Sequence, residues 1–361
     1  MRIGLIGYGL WGRHHAEAIV KAAPDAEFAA IACETERTAA AARERFPDLP
    51  IHRDYRALLD DPSIEAVDIV VPNHLHAEVG VAALEAGKHV LLEKPMALSV
   101  EGCDRLIAAA QASGKVLTIG HEFRLSTQWG RIKTLVQEGA IGAPLYANVS
   151  LFRFPYRQGS GGWRYDRERV GSWILEEPVH FVDSVMWYFE ALGDPDRLVA
   201  FGNARGHADV TGSAAMADNF STVVRWPQGA YAVITQSLAG FEHHHVMEIV
   251  GTEGSIRTWW SGAEDRTREP SFELKVKRAG AERAEALTLA ASGELFELDE
   301  ELRLVFKAFR TGRPIVSGEE ARKRVLVCLA AERALAEGRE VALDFSHAGS
   351  IENGRASRKT G

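Results

Sequence analysis

Cysteine is scarce, with three in 361 residues. Cys33, Cys103 and Cys328 are widely separated and odd in number. They therefore form neither a disulfide framework nor a zinc-ligand spacing. Long apolar runs are missing too, so no segment reads as a membrane-spanning helix. Positive charge is outnumbered, with 42 Lys and Arg against 50 Asp and Glu and a net charge of −8. A nucleic-acid-binding face would show a basic cluster, and this balance speaks for solubility instead. No internal repeat stands out. A strand-like run begins at residue 2, leaving no room for a signal peptide, and a cytoplasmic location is the expectation.

What is present is an ordinary globular composition, 46% hydrophobic and 25% charged. The length suits two domains, each with its own core. Residues 1–120 alternate short apolar strands, near 2–6, 27–33, 66–71, 88–92 and 115–119, with helical stretches such as 75–86 and 99–112. That alternation predicts a doubly wound parallel sheet, an α/β Rossmann domain. Gly87 and Gly114 sit where helices should end, and Ser99 reads as a helix N-cap.

After Gly120 the pattern changes. Tyr146–Phe154 is strand-like, Gly159–Gly162 is a glycine cluster, and Leu175–Phe189 has helical spacing. Two-residue alternation then marks 197–205, 219–226, 230–238, 246–250, 254–259 and 272–277. Turns at 226–230 and 251–254 make hairpins of their neighbours. Helices are expected at 294–311 and 318–337. Residues 121–345 thus predict an α+β domain on an open, mainly antiparallel sheet. Residues 346–361 are polar and read as a mobile tail.

Gly7-Tyr8-Gly9-Leu10-Trp11-Gly12 is a G-x-G-x-x-G run between an apolar strand and a helix, the context that makes the pattern a dinucleotide-binding argument. The first Gly permits the tight turn, the second lets backbone approach a pyrophosphate, and the third lets helix and strand pack. Glu34 closes the next strand at the distance expected of a ribose-binding acid. A carboxylate there repels a 2′-phosphate, so NAD is expected over NADP, although Arg37 lies close enough to accept one. Lys94 follows the strand His89–Leu92, at a sheet edge where ligands bind. Pro95 fixes the backbone beside it.

These motifs together resemble the Gfo/Idh/MocA oxidoreductases, a family named for glucose-fructose oxidoreductase, inositol dehydrogenase and a rhizopine-catabolism protein. The resemblance covers nearly the whole chain. It includes the glycine fingerprint, Pro72-Asn73-His74-Leu75-His76, Ala86-Gly87-Lys88-His89-Val90 and Glu93-Lys94-Pro95. It continues through Gly120-His121-Glu122-Phe123-Arg124, Trp163-Arg164 and the block ending His180-Phe181-Val182-Asp183. The resemblance implies that Lys94 and His180 are catalytic. Where the family carries Asp-x-Gly-x-His, this chain reads Glu176-Glu177-Pro178-Val179-His180. Glu176 is expected to tune His180 from four residues away on the same helical face. By the same resemblance Pro72, Asn73 and His76 lie along the dinucleotide. Glu93, Glu122, Trp163 and Arg164 lie near the nicotinamide.

Oxidising a secondary alcohol needs hydride loss from carbon and proton loss from oxygen. The cofactor takes the hydride, an imidazole suits the proton, and a lysine cation stabilises the developing alkoxide. Phe154, Tyr156 and Arg157 read as a sugar-facing lid, and Tyr156, Trp163 and Glu177 as substrate contacts beside Lys94 and His180. His243-His244-His245 is set aside as a metal site, because adjacent strand residues alternate faces and three in a row cannot converge. The resulting expectation is NAD-dependent oxidoreduction of a ring CH–OH on a sugar, cyclic polyol or glycoside, with no metal, by a homodimer or homotetramer. Two rivals are an NAD-dependent glycoside hydrolase that oxidises the ring transiently and a sugar-responsive binding protein without catalysis.

Overall fold

The structure, a computed structural model, describes residues 1–22, 26–204 and 216–346. The expected tail beyond Ser346 lies outside the described residues. The first sheet contains β1 (Arg2–Ile6), β2 (Glu27–Ala32), β3 (Ile51–His52), β4 (Ala66–Ile69), β5 (His89–Glu93) and β6 (Leu117–Gly120). All its pairs are parallel, in the order β3-β2-β1-β4-β5-β6. Strands buried on both faces read as near-continuous apolar runs, here Ile3, Leu5, Val67, Ile69 and Val90–Leu92, with Asp68 of β4 the exception that pairs with His15. The strand order reverses between β1 and β4, and such a switch point opens a crevice at the carboxyl ends of the strands.

Helices α1 (Leu10–Lys21), α2 (Glu36–Arg45), α3 (Arg56–Asp60), α4 (His76–Glu85) and α5 (Val100–Ser113) connect these strands. Ser99 caps α5 by accepting from the Gly102 N–H, and Gly114 closes it in the left-handed region, as the sequence predicts.

Beyond β6, α6 (Trp129–Gln137) leads into a nine-stranded sheet. Its strands are β7 (Pro144–Phe152), β8 (Arg197–Asn203), β9 (Asn219–Arg225), β10 (Tyr231–Ser237), β11 (His243–Gly251), β12 (Gly254–Gly262), β13 (Ser271–Arg278), β14 (Glu285–Ala286) and β15 (Val341–Ala342). The order is β14-β13-β12-β11-β7-β10-β9-β8-β15, with β7–β10 the parallel pair in an otherwise antiparallel sheet. One face is buried: Ala147, Val149, Leu151, Ala232 and Ile234 form a core with Phe181, Val182 and Val185 of the helix that follows the site. The other face stays open, with Phe152, Phe201, Tyr231 and Val250 all at least 40% exposed.

The predicted helix over 175–189 is broken. Short helices α7 (Arg167–Val170) and α8 (Trp173–Glu176) precede α9 (Pro178–Tyr188), and Glu177 between them leaves helical geometry at φ −132°. Pro178 at the first helical turn lacks an N–H, so it starts a helix more readily than it continues one. Two long helices close the chain. On α10 (Glu294–Thr311), Leu298, Leu302, Val305 and Phe306 pack with Ile3, Leu5 and Ile19 of the first sheet and α1. A Ser317/Glu320 capping box opens α11 (Gly318–Glu337).

Asp183 of α9 ties three parts of the chain together. Its buried carboxylate receives Arg124 through Nε and Nη2, at 2.8 and 2.6 Å, and Arg324 Nε of α11 at 2.9 Å. Burial opposes the charge, but the two guanidinium groups hold the acid far below the usual carboxylate range. Asp183→Asn removes the buried anion facing both guanidinium groups, although Arg124 keeps the Glu320 carboxylate at 2.9 Å and Arg324 the Glu320 carbonyl at 3.1 Å, and should cost about 3 kcal/mol of stability. Urea unfolding checks this, and a loss under about 1 kcal/mol would contradict the tie.

Candidate active site

The switch point opens into a cleft of about 1260 Å³. One end is the turn from β1 to α1. Gly7 has φ +105°, and a Cβ there would lie 2.2 Å from the Val70 carbonyl oxygen. A Cβ on Gly12 would lie 2.1 Å from the Gly7 oxygen, so α1 can approach β1 only without one. At Gly9 a Cβ would meet nothing within 4 Å. The Gly9 backbone therefore faces open cleft, and no side chain caps α1 there. Free N–H groups at a helix start suit a pyrophosphate. This end fits NAD. Glu34 is exposed on the rim, where Arg53 donates to the Glu34 carbonyl and the Glu36 carboxylate. Arg37 lies on the same rim.

At the other end β5 delivers Glu93 and Lys94. Glu93 Oε1 accepts from Trp11 Nε1 at 2.9 Å and is 3.1 Å from His15 Nε2, while Oε2 accepts the Lys94 N–H at 3.1 Å. Burial opposes the charge on Glu93, but His15 and then Lys94 hold its pKa at about 2. His15 is clamped between Asp68, at 2.8 Å, and Glu93. Burial opposes its charge as well, yet these acids raise it to about 10. The Lys94–Pro95 bond is cis. His76 contacts the Pro95 oxygen at 2.6 Å and the Val71 oxygen at 2.9 Å, bracing the loop from below. Lys94 Nζ donates to the Glu176 carbonyl at 2.8 Å.

His180 sits in the first turn of α9, buried, with its ring stacked on Phe123 at 4.6 Å and 19°. Burial first, then the positive charges of Lys94 and His121, push its pKa well below the usual value. The imidazole is therefore neutral at neutral pH. Its Nε2 is 3.8 Å from Glu122 Oε1, too long for a hydrogen bond. Burial and the nearby Glu93 raise the Glu122 carboxyl well above its ordinary range.

Glu176 and His180 do not share a helical face, because the chain breaks at Glu177. The Glu176 carboxylate instead accepts from Arg164 Nε at 2.6 Å and Asn73 Nδ2 at 3.0 Å. Burial opposes its charge, and Arg164 and Lys94 lower its pKa. Glu177 pairs with Arg153, which also approaches Asp265 at 3.4 Å. Glu177 is the first-ranking acid among the charges that raise His180.

Apart from the lid, the residues that the sequence singled out for cofactor, substrate or catalysis border this one cleft: Gly7 to Trp11, Glu34, Pro72, Asn73, His76, Glu93, Lys94, Glu122, Tyr156, Trp163, Arg164, Glu176, Glu177 and His180. Of the expected lid, Arg157 lines the cleft, but Phe154 is 48% exposed and does not border it. Tyr156 commits its hydroxyl to Gln236 Oε1 at 3.0 Å, and its ring lies under the Arg153 guanidinium. Sequence reasoning missed Arg153, Asp265, Arg266 and Glu294. Arg153 was detectable: it continues the inward register of Ala147, Val149 and Leu151, where a buried charge needs a partner. Arg266, which stacks over Trp11 at 4.5 Å and nears Glu294 at 3.3 Å, reaches the cleft from a loop and carries no such signal. The histidine triplet does split between faces, with His244 turned outward and His243 and His245 turned inward.

Comparison with known proteins agrees with this geometry. Residues 1–121 match the model of an oxidoreductase family with an NAD-binding Rossmann fold, and residues 129–257 match the GFO/IDH/MocA C-terminal domain. Levoglucosan dehydrogenase of Pseudarthrobacter phenanthrenivorans is 31% identical over 288 residues, covering 71% of this chain and 73% of that protein. Myo-inositol 2-dehydrogenase of Thermotoga maritima is 28% identical, covering 95% of this chain and 99% of that one. A solved structure of levoglucosan dehydrogenase with NADH and levoglucosan superposes with a TM-score of 0.82 at 25% identity, over 95% of this chain and 99% of that one. The chain therefore belongs to the GFO/IDH/MocA family of NAD-binding oxidoreductases.

Proposed function

We propose that the chain oxidises a ring secondary alcohol of a sugar, cyclic polyol or glycoside, with a glucose-like ring the leading choice. The observation that carries this reading is the meeting of a lysine cation and a neutral buried imidazole in one cleft with the glycine-rich turn. NAD, when bound, supplies the hydride acceptor. His180 Nε2, open towards the cleft, accepts the hydroxyl proton. Lys94 steadies the developing alkoxide, and the Glu176 carbonyl aims its ammonium. Arg164 and Asn73 in turn fix Glu176. Levoglucosan dehydrogenase, 1,5-anhydro-D-fructose reductase and myo-inositol 2-dehydrogenase among the relatives support a polyhydroxylated substrate.

In this reading residues 1–120 hold the cofactor and residues 121–345 bind substrate, although α10 packs back onto the first sheet. We assign the open face of the nine-stranded sheet, with Phe152, Phe201, Tyr231 and Val250, to a homodimer or homotetramer interface. We also assign the protein to the cytoplasm, where the NAD pool is available. Its three cysteines are free and buried, and no helix among the described residues is long and apolar enough to cross a membrane.

A panel of sugars, inositols and glycosides with NAD, read by nicotinamide absorbance and product mass, tests the proposal. Net NADH with a product two hydrogens lighter supports oxidation. Aglycone release without net NADH would indicate the hydrolase chemistry instead. Lys94→Ala and His180→Ala should each lower kcat by ~10²–10⁴-fold while NADH binding survives. Activity within a few-fold of wild type at either position, with chemistry rate-limiting, would remove that residue from the mechanism.

The two glutamates should separate in a pH profile. The negative charge of Glu177 raises the His180 pKa, so Glu177→Gln should lower it and move the acid limb of oxidative kcat/KM to lower pH. Glu176→Gln should reduce kcat by loosening the Lys94 support and leave that limb in place. The reverse pattern would return the tuning role to Glu176.

Cofactor preference should follow the rim. Glu34→Ala removes the carboxylate that repels a 2′-phosphate and leaves Arg37 and Arg53, so the NAD/NADP ratio of kcat/KM should narrow. An unchanged ratio would show that Glu34 does not set the preference.

A further inference from the structure

His243 and His245 stand two apart on β11 and project from the same, inward face. Their Nε2 atoms are 2.7 Å apart. Glu177, held in the break between α8 and α9, points Oε1 at both, 3.2 Å from His243 Nε2 and 3.8 Å from His245 Nε2. All three side chains are buried, at 5% exposure or less. Glu177 Oε2 is taken by Arg153, but Oε1 accepts no hydrogen bond. A buried carboxylate oxygen without a donor is rare in a folded protein. Here it is aimed at two imidazole nitrogens that already face each other.

The spacing that lets the two imidazoles share a hydrogen bond also suits an ion. Metal bonds of about 2.0–2.2 Å place neighbouring ligand atoms roughly 3 Å apart at right angles and slightly farther apart in a tetrahedron. The three observed separations bracket those values, so an ion among the three atoms needs only small side-chain shifts. Two imidazoles and one carboxylate suit zinc or a neighbouring first-row divalent ion, and not magnesium or calcium, which prefer oxygen. Charge is compatible as well. Glu177 is the anion that faces both imidazoles, and Arg153 on Oε2 leaves Oε1 free to ligate. A partner that orients a ligating carboxylate from behind is the usual outer layer of a metal site.

We propose that Glu177, His243 and His245 bind one zinc-class divalent ion in the core behind the cleft wall that Glu177 lines. The ion fixes the cleft-lining Glu177 carboxylate against the sheet. With three protein ligands, a tetrahedral ion keeps a fourth position for water. The site stands on the side-chain geometry alone and is independent of the roles given to Lys94 and His180.

The test uses the full chain, stripped with a chelator and dialysed against zinc sulfate or cobalt chloride. Metal analysis should give one saturable ion per chain, and cobalt should develop visible d–d bands. Zinc should raise Tm in the wild type by ligand linkage. His243→Gln and His245→Gln, checked for folding by circular dichroism and NADH binding, should each weaken zinc binding by more than about tenfold, since even outer-layer losses cost roughly 10–100-fold. They should also lose the zinc-dependent Tm rise. Absence of saturable uptake by folded wild type overturns the site, as does uptake unchanged in both variants. Should the variants fail to fold, the wild-type cobalt spectrum decides, and its failure to appear counts against the proposal. None of these readouts uses turnover, so they stand or fall apart from the proposed reaction.

Discussion

The Glu93 carboxylate joins the glycine-rich turn and α1 to Lys94 at the end of β5. It is buried, and it keeps its charge because Trp11 and His15 from α1 and the Lys94 backbone converge on it. A buried carboxylate with fewer donors would take up a proton and release them. As built, the glycine-rich turn, the end of β5 and the helix that faces the pyrophosphate form one rigid unit. Asp68 behind His15 extends it into β4. The spacing from dinucleotide to ammonium is thus set by a charge-assisted network and not by loop backbone.

Around that unit the cleft sorts its ionisable groups by charge state. Glu93, Glu176 and Glu177 remain anionic because each has a cation within reach, from His15, Arg164 and Arg153 respectively. Burial pushes the other two the opposite way from each other, raising the Glu122 carboxyl and, with the Lys94 charge beside it, lowering the His180 imidazole. A neutral base beside a cation is the combination that alcohol oxidation needs, and it follows from burial and neighbours alone.

Much of this was legible in the chain. The three glycines of the turn each answer a local steric demand, so their spacing carries the meaning. The alternating and all-apolar strand patterns gave both sheets. Lys94 could be placed because its strand is one of a parallel set, whose carboxyl ends form the crevice. The helical face expected to be shared by Glu176 and His180 does not exist, because four-residue spacing assumes an unbroken helix and Pro178 restarts it. The histidine triplet was weighed as three adjacent residues, when two of the three share a face and a third group arrives from a helix break far away in sequence. Asp265, Arg266 and Glu294 reach the cleft only through tertiary packing, and no periodicity records that.

The placement of α10 sets an order on folding during synthesis. Ile3 and Leu5, among the first residues made, find part of their packing on Leu298, Leu302 and Phe306, near the end of the chain. The nucleotide-binding sheet therefore leaves the ribosome with an apolar face uncovered and waits for almost the whole polypeptide before that face can close. Exposed apolar surface of this kind is what chaperones recognise and what aggregates. The first 120 residues, although a family unit by pattern, share a core with a helix that is made nearly last.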